Sequence, residues 1–179
     1  MQETWIADVY RFWFDDLQPE AWFRPDPAVD ARIRERFSDL HRSLMLNPVS
    51  ATTPEAAVAA VIVFDQFSRN MFRGTPAAYA ADPLALRLSE TAIAAGLDQR
   101  LSARERLFLY MPFQHSEDHA VQRRSIELFT DLGVAEHLDF AERHRVIIER
   151  FGRFPHRNAV LERPSTPAEV EFLKTAKPF

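Results

Sequence analysis

Apolar residues recur along this chain at spacings of three and four, the period of one helix face. Trp5, Val9 and Trp13 predict a first helix over about 4–16. Val29, Ile33, Phe37, Leu40 and Leu44 predict a second over about 27–46. A third is expected over about 54–73, and Leu84, Leu88 and Ala92 mark a fourth over about 83–95. Leu107, Phe108 and Met111 mark a fifth, stopped or kinked by Pro112. A sixth and a seventh follow over about 117–132 and 136–151, and a short last helix begins near Pro167. No run alternates apolar and polar for long enough to predict a strand.

The breaks between these periods carry helix-end chemistry. Asp26-Pro27, Thr53-Pro54, Asp82-Pro83 and Thr166-Pro167 each pair an N-cap residue with a proline suited to the first turn. Ser102 with Glu105, and Thr166 with Glu169, read as capping boxes. Gly74, Gly96, Gly133 and Gly152 stand where helices should end. The expected fold is all-α: about seven or eight helices in antiparallel hairpins, laid side by side as a bundle or short solenoid, with no sheet. No internal repeat or tetratricopeptide consensus is found, and residues 1–179 read as a single domain.

Three segments depart from a simple amphipathic helix. The first is Phe64-Asp65-Gln66-Phe67-Ser68-Arg69-Asn70-Met71-Phe72-Arg73-Gly74. Extending the apolar stripe of Val58, Val61 and Ile62 at about 100° per residue puts Asp65 and Arg69 on the core side, four apart and able to pair. Gln66, Asn70 and Arg73 share another face. The second segment, Arg150-Phe151-Gly152-Arg153-Phe154-Pro155-His156-Arg157-Asn158, sets several donors on irregular backbone after a helix end. The same arginines also suit C-terminal caps. His144, upstream, falls within an apolar stripe and reads as a satisfied core histidine. The third segment is Gln114-His115-Ser116-Glu117-Asp118-His119. Ser116 can cap the sixth helix, with Glu117 and Asp118 in its first turn. His115 and His119 are four apart, but serine follows His115 where the zinc-protease pattern needs glutamate, so no metal is expected. No cofactor motif is present in the sequence.

Composition narrows the classes. The chain is 46% hydrophobic and has no cysteine, which fits a globular protein and excludes disulfides and thiolate chemistry. No apolar run approaches the ~18 residues of a membrane span, and Met1-Gln2-Glu3-Thr4-Trp5 does not resemble a leader. A cytoplasmic location with no membrane partner is expected. Net charge is −4, which argues against nucleic acid despite six arginines against two glutamates over 143–163. All but Lys174 and Lys177 of the 22 basic residues are arginine, the side chain best suited to holding carboxylate or phosphate in a fork.

Phe64 to Asn70, His115-Ser116-Glu117-Asp118 and His144-Arg145 with Phe151 to Asn158 resemble the hallmark motifs of the bacterial family called domain of unknown function 924. Phe12-Trp13-Phe14, Trp22-Phe23 and Asp82-Pro83-Leu84-Ala85 also fit its pattern, and His119 lies outside it. The resemblance implies one all-α domain similar to tetratricopeptide-like arrays, with the motif residues as a shared site. It implies no established activity.

Three functions follow from these residues. A binding protein would use Asp65, Arg69, Asn70, Arg73, His115, Glu117, Arg153, His156, Arg157 and Asn158 around a small anionic molecule or an acidic peptide segment. An enzyme would use His115 or His156 as acid or base, oriented by Asp65 or Glu117. A purely structural or interaction module would use the same groups as internal struts. A histidine bonded to a carboxylate and open to a cavity separates the second from the third.

Overall fold

The computed structural model describes residues 4–47 and 49–176. Met1-Gln2-Glu3, part of the leader reading, and Lys177 lie outside the described residues. Among the described residues every regular element is helical. Helix α1 spans Thr4–Tyr10 and runs into a π-helical turn over Arg11–Asp16. After a 3-10 turn at Pro19–Trp22 come α2 (Pro27–Leu46) and α3 (Pro54–Val61). A second π turn, Ile62–Phe67, leads into α4 (Ser68–Met71). A 3-10 turn at Pro76–Tyr79 precedes α5 (Asp82–Ala94). Helix α6 spans Ala103–Gln114, α7 His119–Leu132, α8 Ala135–Phe151 and α9 Pro167–Thr175. No helix among the described residues is long and apolar enough to cross a membrane.

Helix α3 and its π turn form the centre. Every residue from Ala57 through Asp65 has no exposed surface. A helix apolar on all sides is stable only when neighbours cover every face. Helices α1, α5 and α6 pack on α3, and α2 packs on its continuation. Helices α6, α7 and α8 then pack in succession. Aromatic side chains lock the N-terminal segment to this core: Trp13 meets Phe67 and Phe108 edge-on and stacks on Trp22. The Trp22 indole donates to the Trp13 carbonyl at 2.9 Å, which satisfies a polar group that would otherwise be unpaired. That bond holds the 19–23 segment as a wall beside α6.

The expected helix ends are mostly as drawn from sequence. Asp26 and Thr53 cap α2 and α3, and both capping boxes form. The four glycines adopt φ between 68° and 77°, the left-handed region that an L side chain disfavours. Pro112 lies inside α6 and does not stop it, since the helix continues to Gln114. Two expectations are corrected. Asp118, not Ser116, caps α7, accepting from Ala120 and Val121 at 2.7 and 3.0 Å. Asp82 is the first residue of α5 rather than its cap, because its carboxylate is taken by tertiary arginines.

Candidate functional site

The π turn at Ile62–Phe67 is where the site begins. Its wider hydrogen bonding changes the angular step between residues, yet the expected grouping of Gln66, Asn70 and Arg73 carries through it. Gln66, Arg69, Asn70 and Arg73 emerge along one cavity wall, whereas Asp65 lies buried behind them. The Asp65 carboxylate accepts from Gln66 Nε2 at 2.6 Å and lies 2.8 Å from His115 Nδ1. Arg69 Nη1 is 3.1 Å from its Oδ1 and also donates to the Asp65 backbone carbonyl at 2.7 Å. Arg69 closes a two-pronged pair with Asp82 at 2.9 and 3.0 Å.

Arg157 approaches the same group from the C-terminal side. Its guanidinium lies between Tyr79 and Phe154, 4.7 and 4.6 Å from the ring centroids. It donates to the His115 carbonyl at 3.0 Å, and its contact with Asp82 is longer, at 3.5 Å. Its Nε is buried with no hydrogen-bond partner. Arg69 is thus held in a fork by Asp82, while Arg157 meets that already bound carboxylate only at 3.5 Å.

A cavity of about 660 Å³ opens beside these groups. Arg69, Asn70, Arg73, His115, His156 and Arg157 line it, as does His144. Trp22, Phe23, Leu107, Met111, Phe129 and Phe140 supply its apolar walls. Gln114 also lines it, and its buried Oε1 accepts no hydrogen bond.

The structure therefore splits the residues expected at the site. Arg69, Asn70, Arg73, His115, His156 and Arg157 meet around the cavity, with Asp65 behind them. Glu117, Arg153 and Asn158 do not line it. Glu117 accepts two bonds from Arg163 at 2.7 and 3.0 Å and one from the Phe154 N–H at 2.7 Å. Arg153 pairs with Glu169 at 2.6 and 2.8 Å, and Asn158 bonds Ser165 and Arg163. These three residues brace the segment that carries His156 and Arg157. Sequence reasoning did not single out Asp30, which accepts from Asn70 at 2.8 Å and from Arg73 at 2.7 and 2.8 Å. Nor did it single out Tyr79 or Arg163. No short-range spacing marks Asp30, which lies forty or more residues before Asn70 and Arg73.

The order of motifs seen in the sequence is matched by comparison with known proteins. Residues 9–177 match the family described as bacterial protein of unknown function, DUF924. The chain belongs to that family. It is similar to the solved structure of a protein of unknown function, ATU0120, from Agrobacterium tumefaciens, at 42% identity and a TM-score of 0.91. The similarity covers 96% of this chain and 97% of that one. No curated protein matches it.

The electrostatics of this DUF924 site follow from burial beside arginine. Burial alone would raise the Asp65 carboxyl, but Arg69 and His115 outweigh it and hold the group well below the usual carboxylate range. Burial lowers His115, with Arg69 adding to it against the pull of Asp65. His144 is pushed down to about 3, by burial and then by His115. His156 falls to about 4, by desolvation and then by Arg157. Desolvation and Arg69 also lower Arg157, against Asp82.

These histidines make folding pH-dependent. Each binds its proton more tightly in the unfolded chain than in the folded one, so falling pH favours unfolding. The melting temperature is expected to be steady above the ordinary histidine value of 6.5 and to decline as pH drops toward about 3. A scan of melting temperature against pH checks this; a flat profile across that window would contradict the buried neutral histidines.

Proposed function

We propose that the cavity binds a small anionic molecule, with Arg157 as its principal anchor. One observation carries the reading. Arg157 is a desolvated cation on the cavity wall whose nearest carboxylate, 3.5 Å away, is already held in a fork by Arg69. An anion docking there would gain charge-assisted hydrogen bonds in a low-dielectric setting, where they are strongest. Arg73, His115 and His156 line the same space. The pairing of Arg69 and Arg73 with Asp65, Asp82 and Asp30 argues against a site made from all the arginines alike. A volume of about 660 Å³ suits a small molecule better than an extended acidic peptide. We further read the successive packing of α6, α7 and α8 as tetratricopeptide-like, and place the protein in the cytoplasm, since a chain without cysteine fits a reducing compartment.

The test is thermal denaturation against a panel of acetate, hexanoate, phosphate, citrate and an acidic peptide. A ligand at a hundred times its Kd stabilises by ~2.7 kcal/mol, or roughly 5–10 °C for a chain of this length. At least one small anion is expected to give such a shift. A panel without any shift would sink the proposal, and a response to the peptide alone would replace the small molecule.

A second reading, an enzyme, has one specific observation behind it. His115 Nδ1 lies 2.8 Å from the buried Asp65 carboxylate, and His115 lines the cavity. A carboxylate bonded to Nδ1 leaves Nε2 as the basic nitrogen, an arrangement suited to general-base work. It would be established by a cavity ligand that the wild type consumes and His115→Gln leaves intact.

A further inference from the structure

The cavity walls differ in chemistry along one direction, and helix α8 provides the ruler. Four of its residues line the cavity: Glu136, His137, Phe140 and His144. From His137 to His144 the helix rises about 10 Å, at roughly 1.5 Å per residue. At the first end, His137 lies 6.5 Å from the half-exposed ring of Phe23. At the far end, His144 is buried, its ring 6.0 Å from that of His115. Phe140 stands between them, one turn from each.

The neighbouring elements repeat this order. Leu107 and Met111 stand one turn apart on α6, with Gln114 and His115 following at its end. Trp22 packs its ring 5.1 Å from Phe108, which sets it against the same stretch of α6. Met111 closes the apolar stretch, its Sδ 3.3 Å from Gln66 Nε2. The apolar surface thus runs from Phe23 and Trp22, beside the charged rim of Glu20, Arg24 and Glu136, past Leu107 and Phe140, and gives way to Gln114, His115 and Arg157 at the inner end.

From this gradient we infer that the occupant is an amphipathic monocarboxylate, with its carboxylate toward Arg157 and its apolar body along Phe140, Leu107 and Trp22. The inference rests on the anion reading above and adds the nature of the rest of the molecule. Two features point to a single negative charge rather than a phosphate dianion. The inner cluster already holds Asp65 and Asp82 against Arg69 and Arg157, and Arg157 meets its carboxylate only at 3.5 Å. A second negative charge would meet no further unpaired arginine there, since Arg73 is held by Asp30.

Isothermal calorimetry with straight-chain monocarboxylates from acetate to octanoate, and with inorganic phosphate, tests the inference. Affinity should rise about fourfold per added methylene until the apolar stretch is filled. Phosphate should bind less tightly than hexanoate. Phe140→Ala, on a half-buried side chain, should weaken hexanoate several-fold more than acetate. If acetate, hexanoate and phosphate all bind with similar affinity, the amphipathic ligand is ruled out and the anion site stands. Phosphate binding tighter than every carboxylate would likewise overturn the inference alone. If none of these anions binds, the anion reading falls as well.

Discussion

Asp65→Asn is expected to lower the free energy of unfolding by about 3–5 kcal/mol, the usual cost of stripping one partner from a buried ion pair. The carboxylate has no exposed surface and sits on the most deeply buried helix of the protein. It answers Arg69 at 3.1 Å and His115 at 2.8 Å, and accepts from Gln66 at 2.6 Å. Asparagine keeps the shape but removes the charge. Arg69 would then retain Asp82 and the backbone carbonyl of residue 65, and His115 would lose its charged partner. Urea denaturation of Asp65→Asn, Arg69→Gln and the double variant measures the effect. The two single losses should not add, because both residues belong to one network. A loss below about 1 kcal/mol would mean that the carboxylate is not a structural strut.

Arg157→Met is expected to behave in the opposite way, costing little stability while weakening anion binding about 10- to 100-fold. Loss of hydrogen bonds to a charged group typically costs ~1.5–3 kcal/mol of binding, which is that range of affinity. The stability term is small for a physical reason. Burial disfavours the Arg157 charge, Arg69 repels it, and Asp82 compensates only in part. Methionine fills the slot between Tyr79 and Phe154 with an apolar chain and leaves the Arg69–Asp82 fork in place. Exchange of an incompletely paired buried cation for an apolar side chain is often neutral or stabilising. A strut would respond as Asp65 does; a binding residue should respond as predicted for Arg157. Equal and large destabilisation by both variants would assign Arg157 to the internal lock.

Local chemistry was legible in the sequence, and long-range chemistry was not. Helix bounds followed from period and caps because Asp26, Thr53, Ser102 and Thr166 bond within their own first turn. The Asp65–Arg69 pair was legible for the same reason, being four residues apart on one helix. Asp82 misled because Asp-Pro is a sound local signal for a cap, and two arginines from elsewhere in the chain outcompeted the helix end for its carboxylate. Ser116 lost the cap to Asp118, which reaches two N–H groups of α7. The shared wall of Gln66, Asn70 and Arg73 was legible too; that Arg69 joins it while still paired with Asp65 was not. Arg153 and Asn158 looked like available donors, yet their partners follow within the next helix and loop, at Glu169 and Ser165. Donor-rich loops advertise hydrogen bonds, but only the folded chain decides whether the acceptor is protein or ligand.

The most direct measurement is isothermal calorimetry of the wild type and Arg157→Met with hexanoate at neutral pH. One binding site in the wild type is predicted, weakened about 10- to 100-fold in the variant, with the two proteins melting at nearly the same temperature. Equal affinity in the two proteins, or no heat from either, would contradict an anion site anchored on Arg157.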